Sequence, residues 1–433
     1  MKSSSLSQSD ADRAFAVEVV RRLQSAGYLA YWAGGCVRDQ LRGTVPKDYD
    51  VATSAKPETV RSLFGHSRTL PIGAAFGVIS VLGPRGTRQV EVATFRQDNE
   101  YSDGRHPDSV LFSDPCEDAQ RRDFTINGLF FDPLADQVLD FVGGQADLQQ
   151  RLIRAIGDPS RRFDEDKLRM LRAVRFAATL GFQIEPRTIA AIQQLAGELV
   201  IVSAERIAGE MERLLTDASR RRGVELLRES GLLEIVIPEL AATQPENAAA
   251  NWNTTLEILD RIANASFPAA IAALVRFAVP IDERPRAGAH VCRRWRLSAD
   301  ITHRTVALLT HEQTVLEARR LAWPRLQRLL IEPFAAELVE YAATIAEVGF
   351  ASDASGPVAN VEFCRQRLAW PPQQLNPLPL INGDDLVALG LQPGPSFRQI
   401  LDQVRDAQLE SRVTTRESAI AMAKNLASTG GNN

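Results

Sequence analysis

Gly34-Gly35-Cys36-Val37-Arg38-Asp39, followed shortly by Asp48-Tyr49-Asp50, is the stretch on which the reading of this chain turns. The preceding residues, Tyr28–Ala33, have strand character and run straight into the two glycines. Glycine lets backbone N–H groups approach a phosphate closely, and a helix beginning there adds a favourable dipole. Arg38 can then hold a triphosphate through charge-assisted hydrogen bonds. In a strand, side chains at i and i+2 share a face, so Asp48 and Asp50 project together. Two such carboxylates repel unless a cation lies between them, and Mg²⁺ commonly binds one or two carboxylates plus substrate phosphates. An acidic pair alone also suits a surface turn, and two glycines alone suit a tight strand-to-helix turn. Neither accounts for the glycines, the Arg-Asp and the acidic pair arriving together.

Outward from this stretch the pattern changes every few residues, as mixed α/β structure requires. Tyr49–Ala52, Val78–Leu82 and Val90–Phe95 read as strands, and Pro57 suits the start of a helix carried through Phe64. Arg96–Pro115 is polar and predicts a long loop. Gly143-Gly144 reads as a hinge closing this domain. Beyond Asp147 the spacing is helical almost throughout. Asp164–Leu180 is expected as one long helix stopped by Gly181, and Glu205–Leu215 as another with Ser203 as N-cap. Val224–Leu232, Asn253–Ala263, Ile301–Leu309 and Leu330–Val348 carry helical apolar spacing as well. Ser352–Pro357 and Pro371–Pro379 read as linkers, and a final helical piece spans Phe397 to Leu426.

Two further motifs carry chemistry. In Arg121-Arg122-Asp123-Phe124-Thr125-Ile126-Asn127, a helical reading makes Asp123 and Asn127 i,i+4 neighbours, placed to read ribose hydroxyls while the arginines meet phosphates. A plain capping role for Asp123 is the alternative. In the segment Asp164–Phe176, Asp166 and Arg169 are three apart on one expected helix face. A carboxylate can accept from the exocyclic amine of cytosine or adenine, and an arginine can donate to the ring nitrogen beside it. Guanine and uracil present a carbonyl there, so this pair suits C and A. A surface ion pair is the bland alternative. Arg172 continues the ridge, while helical drift carries Arg175 away from Asp166.

Composition sets the outer limits. A chain of 433 residues calls for two to four domains. It is 45% hydrophobic and 24% charged, an ordinary soluble balance. The N-terminus lacks the apolar core of a signal peptide, and no stretch approaches the ~20 apolar residues of a membrane span. Cys36, Cys116, Cys292 and Cys364 are scattered, which argues against a disulfide framework or a structural zinc site and suits a cytoplasmic protein. The net charge of −4 hides local bias, because Arg151–Arg175 holds eight Lys/Arg against four Asp/Glu and Arg286–Arg328 nine against three. Such runs can track a phosphate backbone, although a solvated helix face is their commoner origin.

Taken in order, these segments resemble the class II tRNA nucleotidyltransferase (CCA-adding) and bacterial poly(A) polymerase family of the polymerase-β-like superfamily. The resemblance rests on Gly34–Asp39 with Asp48 and Asp50, Arg121–Leu129, Asp140–Leu148, Glu165–Phe176, and Ser203–Leu215 with Glu205-Arg206-Ile207. It covers the first half nearly continuously and the second half more weakly, through Gly383–Leu386 and Gly394–Leu409. It implies an α+β chain: a catalytic head with a small mixed sheet (1–147), then an all-α neck (148–216), body (217–330) and RNA-binding tail (331–433). It assigns Asp48 and Asp50 to Mg²⁺, and Gly34, Gly35 and Arg38 to the nucleotide phosphates. Arg122, Asp166, Arg169, Arg172 and Arg175 would line the nucleotide site, beside Asp123 and Asn127, with Glu91 as a third carboxylate near the metals. The implied activity is template-independent addition of C and A from CTP and ATP to a tRNA 3′ end. Two alternatives stand beside it: a polymerase adding A only, and a silent RNA-binding protein.

Departures are informative. Phe76 stands where many relatives carry histidine, and Gly128 replaces a usual alanine. The arginine-rich stretch of bacterial poly(A) polymerases is not apparent, which favours tRNA end addition. The loop Arg96–Pro107 looks full length, whereas CC-only relatives shorten it. Asn253 occupies the place of a phosphohydrolase histidine, and no His-Asp pair occurs in the sequence, so no phosphohydrolase activity is expected.

Overall fold

The computed structural model describes residues 8–73, 77–98, 110–242, 248–349 and 356–429. The chain divides into two compact units, Met1–Pro238 and Glu239–Asn433.

The first unit opens with helix α1 (Gln8–Ser25), strand β1 (Ala30–Ala33), helix α2 (Gly35–Leu41), strand β2 (Asp50–Thr53) and helix α3 (Pro57–Phe64). Strands β3 (Thr69–Gly73), β4 (Val78–Val81) and β5 (Val90–Thr94) follow. A short pair, β6 (Arg96–Asp98) and β7 (Val110–Phe112), precedes α4 (Pro115–Gln120), β8 (Leu129–Asp132), β9 (Gln137–Asp140) and α5 (Gly144–Gln150). Seven strands form one sheet in the order β3-β4-β5-β2-β1-β8-β9. Only β2 and β5 run parallel within it, so the expected small mixed sheet is present.

Period-2 alternation decides which face does what. Trp32, Val51, Val92 and Phe131 point to one side, where they meet Phe15, Val19, Val20 and Leu23 of α1 and Val60 and Phe64 of α3. Ala33, Ala52 and Phe130 point to the other, joining a smaller cluster with Phe95 and Ala119. Asp50 and Glu91 are Cα partners on neighbouring strands and fall on this second side, where small residues leave room for a site.

The rest of the unit is largely helical, apart from a short parallel pair formed by β10 (Leu152–Ile153) and β11 (Gln183–Ile184). Its helices are α6 (Pro159–Glu165), α7 (Leu168–Leu180), α8 (Pro186–Leu195), α9 (Ala204–Leu215), α10 (Arg220–Glu229) and α11 (Leu233–Val236). One expectation fails here. The single helix over Asp164–Leu180 is two helices, broken at Asp166, whose backbone is extended at φ −153°, ψ 103°. Continuous apolar spacing hides the break, because Phe163 and Leu168 both face the core across it.

Nor does the Gly143-Gly144 pair behave as a loose hinge. A Cβ on Gly144 would lie 2.2 Å from the Thr125 carbonyl, so the glycine lets α5 pack tightly on that backbone. The polar loop expected over Arg96–Pro115 has paired ends, β6 with β7; its central residues 99–109, like Phe76, lie outside the described residues.

The second unit is helical throughout its described residues, from Ala248–Arg261 to Arg416–Thr429. The helical segment expected over Leu330–Val348 is divided between Trp323–Leu330 and Ala335–Gly349. The final piece is two helices, Pro395–Leu409 and Arg416–Thr429, which close a small core on Ile381, Leu386, Ile400, Val404 and Ala419. No helix of the described residues is long and apolar enough to cross a membrane.

Candidate active site

The site is an open cleft of about 490 Å³ in the first unit, lined among others by Gly34, Gly35, Arg38, Asp50, Arg122 and Asp123. Asn127, Asp166, Arg169, Arg172, Phe176 and Arg206 complete its wall. Nine of the expected nucleotide-binding residues are thus brought together, while Arg175 is not among the lining residues.

At the sheet end, Gly34 takes φ 72°, ψ −123° before the first turn of α2, a left-handed φ that favours glycine. Its Cβ would come 3.0 Å from the guanidinium of Arg122, so the missing side chain also admits that arginine. Because α2 has only seven residues, close backbone approach matters more here than a macrodipole. Arg38, 9% exposed, bonds Asp39 with Nε (2.9 Å) and the Asn127 side-chain oxygen with a terminal nitrogen (2.9 Å). Its guanidinium is therefore aimed before any ligand arrives.

Asp50 lines this cleft, with Asp48 in the preceding bend and Glu91 as its Cα partner on β5. Its pKa is pushed up to about 6, first by desolvation in the crowded cleft, then by the charges of Asp48 and Glu91, with Arg122 acting the other way. Asp48 lies in the bend before β2 and not on the strand, so the expected strand geometry does not hold for the acidic pair, although the Asp48 charge acts on Asp50. Among the described residues no group of three or more His, Cys, Asp or Glu side chains forms a ready-made metal cage. Magnesium does not require one, since it draws most of its ligands from water and substrate phosphates. The mutual repulsion at Asp50 is what a divalent cation would relieve, and in that respect the residues fit the ion.

Opposite, Asp123 and Asn127 interact as expected but not on an α-helix. Thr125–Asn127 is a single 3-10 turn, and Asn127 donates to Asp123 at 3.0 Å. Arg172 donates twice to the other Asp123 oxygen, at 2.9 and 2.6 Å. Burial opposes ionisation of Asp123, but the Arg172 charge and these hydrogen bonds outweigh it and hold the pKa at about 2. The carboxylate is thus largely committed to aiming Arg172 and Asn127, which leaves less of it for a ribose. Arg121 and Arg122 share a second aiming group, Asp118, which is 1% exposed and accepts from both at 2.7 and 3.0 Å.

The base-reading pair also differs from the helical ridge expected. Asp166 sits in the break before α7, where one oxygen accepts from the Leu168 N–H (3.0 Å) and the other from Arg206 of α9 (2.7 Å). Each oxygen keeps a second lone pair for an amine. Arg169 is tethered by Glu165 (2.6 Å) and the carbonyls of Arg162 and Arg121. Arg175 turns away to Glu210 at 2.5 Å and covers the Phe176 ring at 4.1 Å. Arg38 and Arg172 also lie over that ring, each 5.3 Å from its centroid, so Phe176 spaces three guanidinium groups.

Residue-type reasoning passed over Asp118, Phe176, Arg206 and Glu210. Arg206 and Phe176 lie inside the Ser203–Leu215 and Glu165–Phe176 motifs, so the sequence carries a signal for them. Asp118 and Glu210 show none, since a buried carboxylate is recognisable only once the arginines folded onto it are known.

Comparison with known proteins follows the same lines. Residues 30–154 match the model of the poly A polymerase head domain, and residues 181–243 that of the probable RNA and SrmB-binding site of polymerase A. The chain is 35% identical to the CCA-adding enzyme of Lacticaseibacillus paracasei over 90% of both chains. It is 34% identical to that of Geobacillus stearothermophilus, over 94% of this chain and 95% of the relative. The structure of the Bacillus stearothermophilus CCA-adding enzyme in complex with CTP aligns with a TM-score of 0.72 at 27% identity, covering 99% of this chain and all of that one. A Thermotoga maritima CCA-adding enzyme complexed with tRNA shares the fold, at a TM-score of 0.65 and 18% identity, over 95% of this chain and 94% of that one.

Proposed function

Because this chain belongs to the family of CCA-adding enzymes, which are nucleotidyltransferases, we propose that it adds C and A from CTP and ATP to the 3′ end of tRNA without a template. The tRNA 3′-hydroxyl attacks the α-phosphorus of the bound nucleotide. A new P–O bond forms as the bond to the β-phosphate breaks, and pyrophosphate leaves. Asp48 and Asp50, with Glu91 beside them, would hold magnesium, and the ion would supply charge neutralisation for the attacking oxygen and the departing pyrophosphate.

The chain's own residues do the rest. Arg38, pre-aimed by Asp39 and Asn127, and Arg122, held by Asp118, take the triphosphate. Asp166 accepts from the exocyclic amine of C or A, while Arg169 and Arg172 bound the same wall. Gly34 and Gly35 keep side chains out of the phosphate path. The observation that carries this reading is the single cleft in which Asp50, the glycine turn, the arginines and Asp166 meet.

We further read 1–147 as the catalytic head, 148–216 as the neck, 217–330 as the body and 331–433 as the RNA-binding tail. A cytoplasmic location is supported by four cysteines that are all free thiols.

The deciding experiment incubates the protein with tRNA ending at the discriminator base, at C, or at CC, supplying each nucleoside triphosphate separately. Full CCA addition requires CTP to extend the first two and ATP the third. Extension of the CC-ended substrate alone would reduce the enzyme to A addition. With Asp166→Ala, GTP and UTP should enter while affinity for the triphosphate changes little; equal losses for all four nucleotides would refute the base-reading role.

A further inference from the structure

A second cavity, also about 490 Å³, opens on the first unit where the C-terminal ends of α2, α5 and α7 meet. Leu41, Leu148, Leu180 and Phe182 contribute the apolar part of its lining. Its rim carries Arg42 and Arg151, with the side-chain amides of Gln145 and Gln149 beside them. Among the described residues no carboxylate lines it.

The two arginines are underused. The Arg151 guanidinium has no partner among the described residues, although its backbone is held at a left-handed φ of 56°. Arg42 reaches Asp39 only at 4.0 Å, and Asp39 is already engaged by Arg38 at 2.8 Å. A cation at a helix C-terminus ordinarily serves the exposed carbonyls. Here backbone N–H groups already do so: that of Arg42 caps α2, that of Arg151 caps α5 and that of Gly181 caps α7. The Arg151 guanidinium is therefore open to a ligand, and that of Arg42, which lies over the Phe182 ring at 5.5 Å from its centroid, keeps its in-plane N–H groups for one.

We propose that this cavity is an accessory binding site for a free nucleoside phosphate, separate from the catalytic cleft. Guanidinium pairs with phosphate in a planar, two-pronged geometry, and Arg42 and Arg151 supply two such forks. The leucines and Phe182 offer an apolar wall for a base, and the glutamine amides can donate to or accept from its edge. The volume of about 490 Å³ lies in the range of small-molecule sites.

Occupancy would be felt in the catalytic cleft, a consequence that rests on the function proposed above. The other end of α2 carries Gly35, with Arg38 midway along the helix, and the other end of α7 carries Arg169 and Arg172. Helix α5 touches the Thr125–Asn127 turn through Gly144 and through a 2.6 Å bond from Thr125 to Asp147.

Equilibrium dialysis of the full chain with AMP, in the wild type and in two variants of the cavity, tests the site. The cavity should account for one AMP per chain, the one that the variants lose. Arg42→Ala with Arg151→Gly, the latter compatible with the left-handed backbone, should weaken AMP binding at least about tenfold. Gln149→Trp, which fills the cavity, should do the same, and both variants should keep basal nucleotide addition within about twofold. Wild-type AMP binding by both variants would overturn the proposal. A short single-stranded RNA serves as the second arm; binding of RNA without AMP would overturn the assignment to a free nucleotide. A chain that holds AMP but adds no nucleotide would refute the catalytic reading and leave this one standing.

Discussion

Replacing Asp123 with Asn tests how the cleft is held together. In the wild type, one oxygen of this carboxylate takes two bonds from Arg172, and the other takes the Asn127 amide and the Phe124 N–H. The asparagine keeps one acceptor but offers Arg172 a donor in place of the second. The gap between a folded pKa of about 2 and an unfolded one of ~3.9 corresponds to roughly 2.6 kcal/mol at neutral pH. Breaking one side of a buried pair costs about 3–5 kcal/mol, so a loss of about 3 kcal/mol is expected. For a unit the size of Met1–Pro238, that is a fall in Tm of roughly 6–12 °C.

The pH dependence has a definite sign. A depressed folded pKa contributes stability that is present above the unfolded value and is lost as pH falls through the folded one. The difference between wild type and variant should therefore shrink to roughly half by about pH 3, since only the wild type titrates there. Chemical denaturation at pH 7 and pH 3 measures both values. A difference under about 1 kcal/mol at pH 7, or one that does not change between the two pH values, would refute the argument.

Magnesium should raise the Tm of the wild type, because it relieves repulsion among Asp48, Asp50 and Glu91, and chelation should reverse the gain. In Asp50→Asn the metal-free Tm should equal or exceed that of the wild type, with little further rise on adding magnesium; a full magnesium response in that variant would contradict the metal assignment. Gly144→Ala should cost about 1–3 kcal/mol, since its methyl group would meet the Thr125 carbonyl, and should slow nucleotide addition by moving Asn127. Wild-type thermal unfolding and turnover in that variant would show that the packing is slacker than it looks.

Local patterns were legible where they follow short-range rules. The alternation around Val51 and Val92 places Asp50 and Glu91 on the same side, and Pro57 marks the start of α3 at the position expected. The break at Asp166 was not legible, because the apolar spacing runs through it without interruption. The Asp123–Asn127 contact was anticipated, although the backbone achieves it with a 3-10 turn. Arg175 shows why spacing alone leaves a role open. Its partner Glu210 lies on another helix, and nothing near Arg175 in sequence announces it.

The break at Asp166 has an evolutionary consequence. Asp166, the side chain proposed to read the incoming base, is steadied from two directions, by the start of α7 and by Arg206 on α9. On that proposal substrate preference would be inherited through two loci forty residues apart, and a lineage could drift in nucleotide choice through α9 while every residue of Glu165–Phe176 stayed the same.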